Sequence, residues 1–302
     1  MKKYLLPALL MAASTAFAAD PQSGTGETDG YKLVWQDLFD FGTLNPDRWN
    51  IEVNGSGGGN NELQYYTDRT ENVRVGDDGK GNGCLILTAR REDYNNRNFT
   101  SGRINSKTKV AFTHGKIEAS IKIPTTANGL WPAFWMMGND ITELGWPRCG
   151  ETDIMEMGHG DGIAAGTHDR LFNGALHWAN ADGSHAQYAA VSTNRYNIQD
   201  GEFHLYTLVW DESEIRMYLD LDRDPSAEPY LTMKVSEGEL AAQFHKPGFI
   251  LFNLAVGGDF PGIHDAEGVT ALNDGNSQSQ SMFVNYVKVY EKTSEMTLNT
   301  EK

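Results

Sequence analysis

From residue 31 onward the chain is dominated by alternation of apolar and polar positions. That is the period of strands with one face in a core and one in water. The runs CLILTA (84–89), KIEASIKI (116–123) and FVNYVKVY (283–290) all follow it. Two further runs, 204–211 and 214–220, flank Glu212 and Ser213 and predict a hairpin. Helical periodicity is scarce. About a dozen such strands, joined by Gly, Asn and Asp turns, would leave one face uncovered as a single open sheet, so they predict two packed antiparallel sheets. The expected fold is all-β, a β-sandwich of jelly-roll type.

The first residues break this pattern. Lys2 and Lys3 precede an apolar stretch at 5–13, and Ala16, Phe17 and Ala18 form an A-x-A cleavage site, so 1–18 read as a secretory signal peptide and predict a periplasmic or secreted protein. No Cys follows the apolar stretch, which argues against a lipid anchor. Residues 19–30 (ADPQSGTGETDG) hold no large apolar side chain and predict a flexible lead-in. Residues 292–302 read as a polar tail. Between them no linker, repeat or like-charge block marks a boundary, which predicts one domain over 31–291, expected as a monomer.

Composition then narrows the partners. At 39% hydrophobic and 22% charged the chain is neither disordered nor a membrane bundle, because no apolar run approaches the length of about 18 residues that spans a bilayer. The formal charge is −16, and removal of the two leader lysines makes the balance more acidic still. Such a charge repels nucleic acid, anionic lipid and sulfated or uronic polysaccharide, and suits a neutral substrate. Cys84 and Cys149 are the only cysteines, too few for a disulfide scaffold, and sequence sets no distance between them. His114, His159, His168 and His185 show no metal-ligand spacing, so no zinc site or other metal is expected.

The segment GETDIMEM (150–157) carries Glu151, Asp153 and Glu156 in what otherwise reads as a strand. Like charges crowded on one strand face cost energy unless function requires them. On a regular strand Glu151 and Asp153 share a face and Glu156 points the other way. A bulge at Ile154 and Met155 would absorb one residue and bring Glu156 back. The two Glu are then four strand steps, roughly 13 Å, apart. Side chains leaning together would leave about 5 to 6 Å between carboxyl groups, the spacing of retaining glycosidases and not the wider one of inverting enzymes. Two plainer readings are a solvated acidic edge and a Ca²⁺ loop. The first would intersperse Lys and the second would be rich in Gly, Asn and Asp, whereas this segment carries Ile154, Met155 and Met157.

The E-x-D-x-x-E pattern resembles the signature of glycoside hydrolase family 16, in its bulge-containing, laminarinase-like β-glucanase branch. Further blocks in the same order carry the resemblance along most of the chain: LVWQDLFD (33–40), GNNELQYYT (59–67), TSGRINSK (100–107), GLWPAFWMMG (129–138), ALHW (175–178), FNLAVGGDFPG (252–262) and VNYVKVYE (284–291). It implies a jelly-roll sandwich with substrate along a concave sheet, and a secreted, endo-acting, retaining hydrolase of β-1,3-glucan or mixed-linkage β-1,3/1,4-glucan. Glu151 would be the nucleophile, Glu156 the general acid/base and Asp153 an assisting carboxyl beside the nucleophile. A non-catalytic glucan-binding protein, or a hydrolase of another β-linked galactan such as agarose, are the alternatives. The former would not need the carboxylate pair.

Glycan clefts pair flat aromatic faces with groups that bond hydroxyls. Trp131 and Trp135 share a strand face and are candidates to bracket sugar rings, with a buried core stripe as the alternative. Asn61, Glu62 and Gln64 lie in a loop at 57–67 whose consecutive glycines permit close backbone approach. By resemblance Asn61 and Arg103 contact sugar, His177 lies on the strand opposite the acid/base, and Phe260 stands where relatives carry Trp. Two departures are visible. Gly58 replaces a Trp of the G-W-G-N-N-E block, so either a stacking platform is missing or the loop needs glycine there. Asn285 replaces the usual Asp of a structural Ca²⁺ site, and loss of that charge weakens the case for calcium. Linkage preference would depend on loop shape at Gly58, Trp146 and 158–170, which no spacing argument reaches.

Overall fold

A computed structural model describes residues 27–28, 30–40, 42–126, 128–273, 275 and 277–293. The signal peptide and nearly all of the polar tail lie outside the described residues. Among those described, strands form an 11-stranded and an 8-stranded sheet. Helix is confined to the short segments Ile141–Leu144, Gly160–Ala165 and Gly238–Phe244 and one 3₁₀ turn.

The 8-stranded sheet runs in the order His185–Thr193, Leu171–Ala179, Glu151–Met157, Leu130–Gly138, Gly248–Val256, Arg103–Asn105, Asn50–Ile51, with Ala111–Phe112 also paired to Gly248–Val256. At the centre of the other sheet, Gly115–Lys122 lies between His204–Trp210 and Ser279–Lys292, and Gly83–Tyr94 pairs with the far side of the latter. The alternating runs are therefore the strands they predicted, and 204–210 and 214–219 pair as the expected hairpin, with Trp210 opposite Ile215. Leu85, Leu87, Ile117, Ala119 and Ile121 face Phe134, Met136, Ile154, Leu176 and Phe252 across one continuous core between the sheets. This is the two-sheet sandwich, closed by burial of alternate residues from both inner faces.

Three expectations need correction. The sheets are not purely antiparallel, since Gln64–Tyr66 runs parallel to Arg97–Ser101. The lead-in does not run to residue 30, because Glu27–Thr28 pairs with Lys32 and Tyr31. At the other end the final strand continues to Lys292, opposite Tyr31, one residue past the expected boundary. The cysteines are both buried and both free.

The strands Leu130–Gly138 and Gly248–Val256 are buried on both faces. Phe134 and Met136 enter the main core, while Ala133, Trp135 and Met137 join Phe249, Leu251 and Cys149 in a second apolar cluster on the outer face of the 8-stranded sheet. That face is the floor on which the carboxylates stand.

Candidate active site

The acidic segment is strand Glu151–Met157, and its pairing is irregular where the sequence predicts. Against Leu130–Gly138 the partners are Glu151 with Met137, Asp153 with Trp135, then Met155 with Phe134 and Glu156 with Ala133, so the register shifts by one residue. Against Leu171–Ala179, Asp153 pairs with Ala175 and Glu156 with Asn173, so Ile154 and Met155 together are the irregularity. Both turn into the core with Met157. Glu151, Asp153 and Glu156 are left on the opposite face, which is what a bulge achieves and a regular strand cannot.

Each carboxylate has a different neighbour. Trp146 donates its indole N–H to Glu151 Oε2 at 3.0 Å, and Trp131 donates to Glu156 Oε1 at 3.0 Å. His177 Nε2 lies 3.1 Å from Asp153 Oδ2 and 4.0 Å from Glu151 Oε1. Its other ring nitrogen meets His185 Nε2 at 2.9 Å, and the two imidazoles stack at 5.1 Å with Trp146 beside His185. Burial, reinforced by the charge of Asp153, pushes Glu151 up to about 8. Burial pushes Asp153 up to about 8 as well. Glu156 is raised well above the usual carboxyl range by burial and by both acidic neighbours. Three carboxyls crowded on one largely buried face cannot all be charged, so the set holds protons at neutral pH. An arrangement that keeps one carboxyl protonated beside another that can ionise suits acid-assisted attack by a carboxylate.

A second patch lies one to three strands away. Trp135 donates to Asn253 Oδ1 at 2.7 Å, and the Arg103 guanidinium lies 4.8 Å from the Trp135 ring centre. Arg103 is held from behind by Glu52 at 3.0 Å. Trp131 stacks on Phe260 with ring centres 4.7 Å apart and planes 8° from parallel. Trp131, Trp135, Arg103 and Phe260 are thus brought to the carboxylate face, but each indole N–H is committed to a protein acceptor.

The 57–67 loop differs from expectation. Asn61 is exposed and donates to both oxygens of Asp259, at 3.0 and 3.1 Å. Glu62 and Gln64 are buried and bonded to each other, Tyr66 O–H donates to Glu62, and Gln64 Oε1 accepts from the Val256 backbone N–H. Their polar atoms support the floor of the site and are not presented to a ligand. Gly58 sits at φ +62°, and a Cβ there would meet Glu62 Oε1 at 2.1 Å. Glycine at 58 is therefore demanded by the turn and by the buried carboxylate beneath it.

His177 lies on the expected strand, the one that pairs with the acidic strand. It pairs with Glu151, while Asn173 is the residue opposite Glu156. Asn173 is buried and its Oδ1 has no hydrogen-bond partner. Sequence reasoning overlooked Asn173 and Asn253, named His185 only as lacking metal-ligand spacing, and treated Trp146 only as loop. Asn173 is two strand positions from Ala175, which was within reach of alternation once the acidic strand's neighbour was known. Trp146 and His185 carry no periodic signal, since they reach the site through tertiary packing.

The family model for glycosyl hydrolases family 16 matches residues 60–232. Among relatives, the β-glucanase of Rhodothermus marinus is 34% identical over 86% of this chain and 85% of its own length. The clotting factor G alpha subunit of Tachypleus tridentatus is 33% identical over 87% of this chain, but the chain spans only 34% of that protein. A solved structure from Bacteroides ovatus, described as a mixed linkage glucan GH16 in complex with a G4G4G3G product, superposes with a TM-score of 0.74 at 40% identity, covering 84% of this chain and 99% of that one. With the bulged acidic strand, the sandwich and the family match in agreement, this chain belongs to glycosyl hydrolases family 16.

Proposed function

We propose that this chain is an endo-acting β-glucanase that hydrolyses β-1,3-glucan and mixed-linkage β-1,3/1,4-glucan with retention of configuration. The observation that carries the proposal is the bulge at Ile154 and Met155, which leaves Glu151 and Glu156 on one face with a separate indole donor on each. Glu151 attacks the anomeric carbon while Glu156 donates its proton to the departing glycosidic oxygen, giving a glycosyl ester on Glu151. Glu156, now ionised, takes a proton from water, which attacks the same carbon and restores Glu151. Trp146 holds Oε2 of Glu151 and so leaves Oε1 for the attack. Asp153, held protonated by burial, keeps a second full charge away from the nucleophile.

Trp135, Arg103, Asn61, Trp131 and Phe260 are proposed to hold sugar, with Glu62 and Gln64 in a supporting position behind them. The names of the Rhodothermus and Bacteroides relatives support a glucan, and the acidic balance supports a neutral one. The 1–18 segment supports export to the periplasm or beyond, and a monomer is the proposed working state. The fit to a structural calcium is poor: position 285 supplies an amide and no carboxylate, and its Nδ2 donates to the Gly83 carbonyl at 3.1 Å. The test of function is chromatography of products from laminarin, mixed-linkage glucan, agarose and cellulose. Oligosaccharides of several lengths from the first two, and none from agarose, are expected. Release from agarose alone, or from none of the four, would overturn the assignment.

A further inference from the structure

Two of the carboxylates assigned to hydrolysis also stand in a cluster with His177 that hydrolysis alone does not explain. Glu151, Asp153 and His177 each bring one ligand atom to within 4.8 Å of the others. The Asp153 side chain is 7% exposed, and its Oδ2 has no aligned hydrogen bond although His177 Nε2 is 3.1 Å away. A buried carboxylate oxygen without a partner is costly unless something else meets it. Glu151 and His177 keep 16% and 17% of their side-chain surface open, so the group can be reached from the cleft side. His177 is held from behind at its other nitrogen by His185, at 2.9 Å. Such an outer partner orients a metal-binding imidazole.

We propose that Glu151, Asp153 and His177 form a binding site for one borderline-soft divalent cation, Zn²⁺ or Cu²⁺, and that occupancy reversibly blocks hydrolysis. Two carboxylate oxygens and one imidazole nitrogen make a three-ligand set with an open position for water, the pattern of many zinc sites. Mg²⁺ and Ca²⁺ fit less well, because they take octahedral or larger oxygen shells and gain little from imidazole. The ligand atoms must draw closer to share one ion, and the Glu151 side chain, which keeps 16% of its surface open, is the one placed to move. Binding takes the place of the protons that these acids hold at neutral pH, which go to solvent. It ties down the carboxylate proposed as nucleophile, so the blocking, unlike the binding, rests on the catalytic reading above.

The test is calorimetric titration of the whole chain with Zn²⁺ at neutral pH, in a buffer that does not bind metal. A His177-dependent site of 1:1 stoichiometry is expected. His177→Ala should weaken it by more than 100-fold, and His185→Gln by about 10- to 100-fold, the usual cost of losing an outer partner. His177→Gln, nearly the same size, serves if the alanine variant does not fold. Anomalous diffraction from Zn²⁺-soaked crystals should place the ion between the three side chains. An isotherm unchanged in the folded His177 variants, no saturable binding below about 1 mM, or an anomalous peak elsewhere would overturn the site. Laminarin hydrolysis measured in parallel should fall with occupancy and return on chelation. His177-dependent binding that leaves hydrolysis intact would keep the metal site and contradict Glu151 as the nucleophile.

Discussion

At the scale of single residues, the site keeps carboxyls protonated that would be ionised in water. Asp153 is buried, ionises only near 8, and lies beside Glu151, whose own ionisation is raised first by burial and then by Asp153. A carboxyl raised in this way favours folding when it is neutral. Its contribution is complete below its unfolded value of about 3.9 and is lost as pH rises toward its folded value. Melting temperature of the native chain should therefore fall between pH 5 and pH 8, and Asp153→Asn should fall less. At pH 8 the variant is expected to be the more stable by at least about 1 kcal/mol, or roughly 2 to 4 °C in a domain of this size. The same substitution removes a negative neighbour from Glu151, so the acid limb of kcat/KM should move to lower pH as total activity drops. A limb that stays in place, with melting curves that run parallel, would mean that Asp153 carries no charge that Glu151 feels.

At the scale of the element, the bulged strand shows what alternation can and cannot disclose. Placing Glu151, Asp153 and Glu156 on one face required the period of two and a bulge at Ile154 and Met155, and the pairing carries that irregularity. The partners of those carboxylates were not legible. Trp146, Asn173 and His185 lie on other segments, and their contacts depend on how the strands are ordered in the sheet, which local pattern does not encode. Burial of Glu62 and Gln64 was missed for a related reason: a Gly-rich polar loop reads as surface, yet this one folds under itself and bonds its polar groups internally. The bulge makes a testable demand. Deleting Ile154 straightens the strand but keeps Glu151, Asp153 and the displaced Glu on one face, so residual hydrolysis should survive at a stability cost of about 2 to 5 kcal/mol for a lost core side chain. Deleting Thr152 turns Glu151 toward the core and should abolish hydrolysis. Equal loss in two folded deletion variants would contradict the face argument. In the 57–67 loop, Gly58→Trp meets both a left-handed φ and the Glu62 carboxylate. It should lose at least 1 to 2 kcal/mol of stability without lowering KM for longer oligosaccharides. A stable variant with lower KM would restore position 58 as a sugar platform.

At the scale of the whole molecule, two sheets share one core and leave the outer face of the smaller sheet to carry the chemistry. That division was legible from the alternating runs, while the parallel pair at Gln64–Tyr66 and the second apolar cluster around Trp135 were not, because both arise from chain crossings far apart in sequence. With Asn285 satisfied by Gly83, chelation should shift the melting temperature by no more than a few degrees. A fall of more than about 10 °C with EDTA, reversed by Ca²⁺, would show that metal holds the sandwich together. The central claim is the division of labour between Glu151 and Glu156. Its most direct measurement is the anomeric configuration of the glycosyl azide formed when Glu156→Ala is given azide and an activated aryl β-glucoside of laminaribiose. With Glu151 as nucleophile, the glycosyl ester forms without acid help and azide opens it from the opposite face, so the product is the β-azide and the rate rises with azide concentration. An α-azide would mean that Glu156 is the nucleophile and that the assignment is reversed.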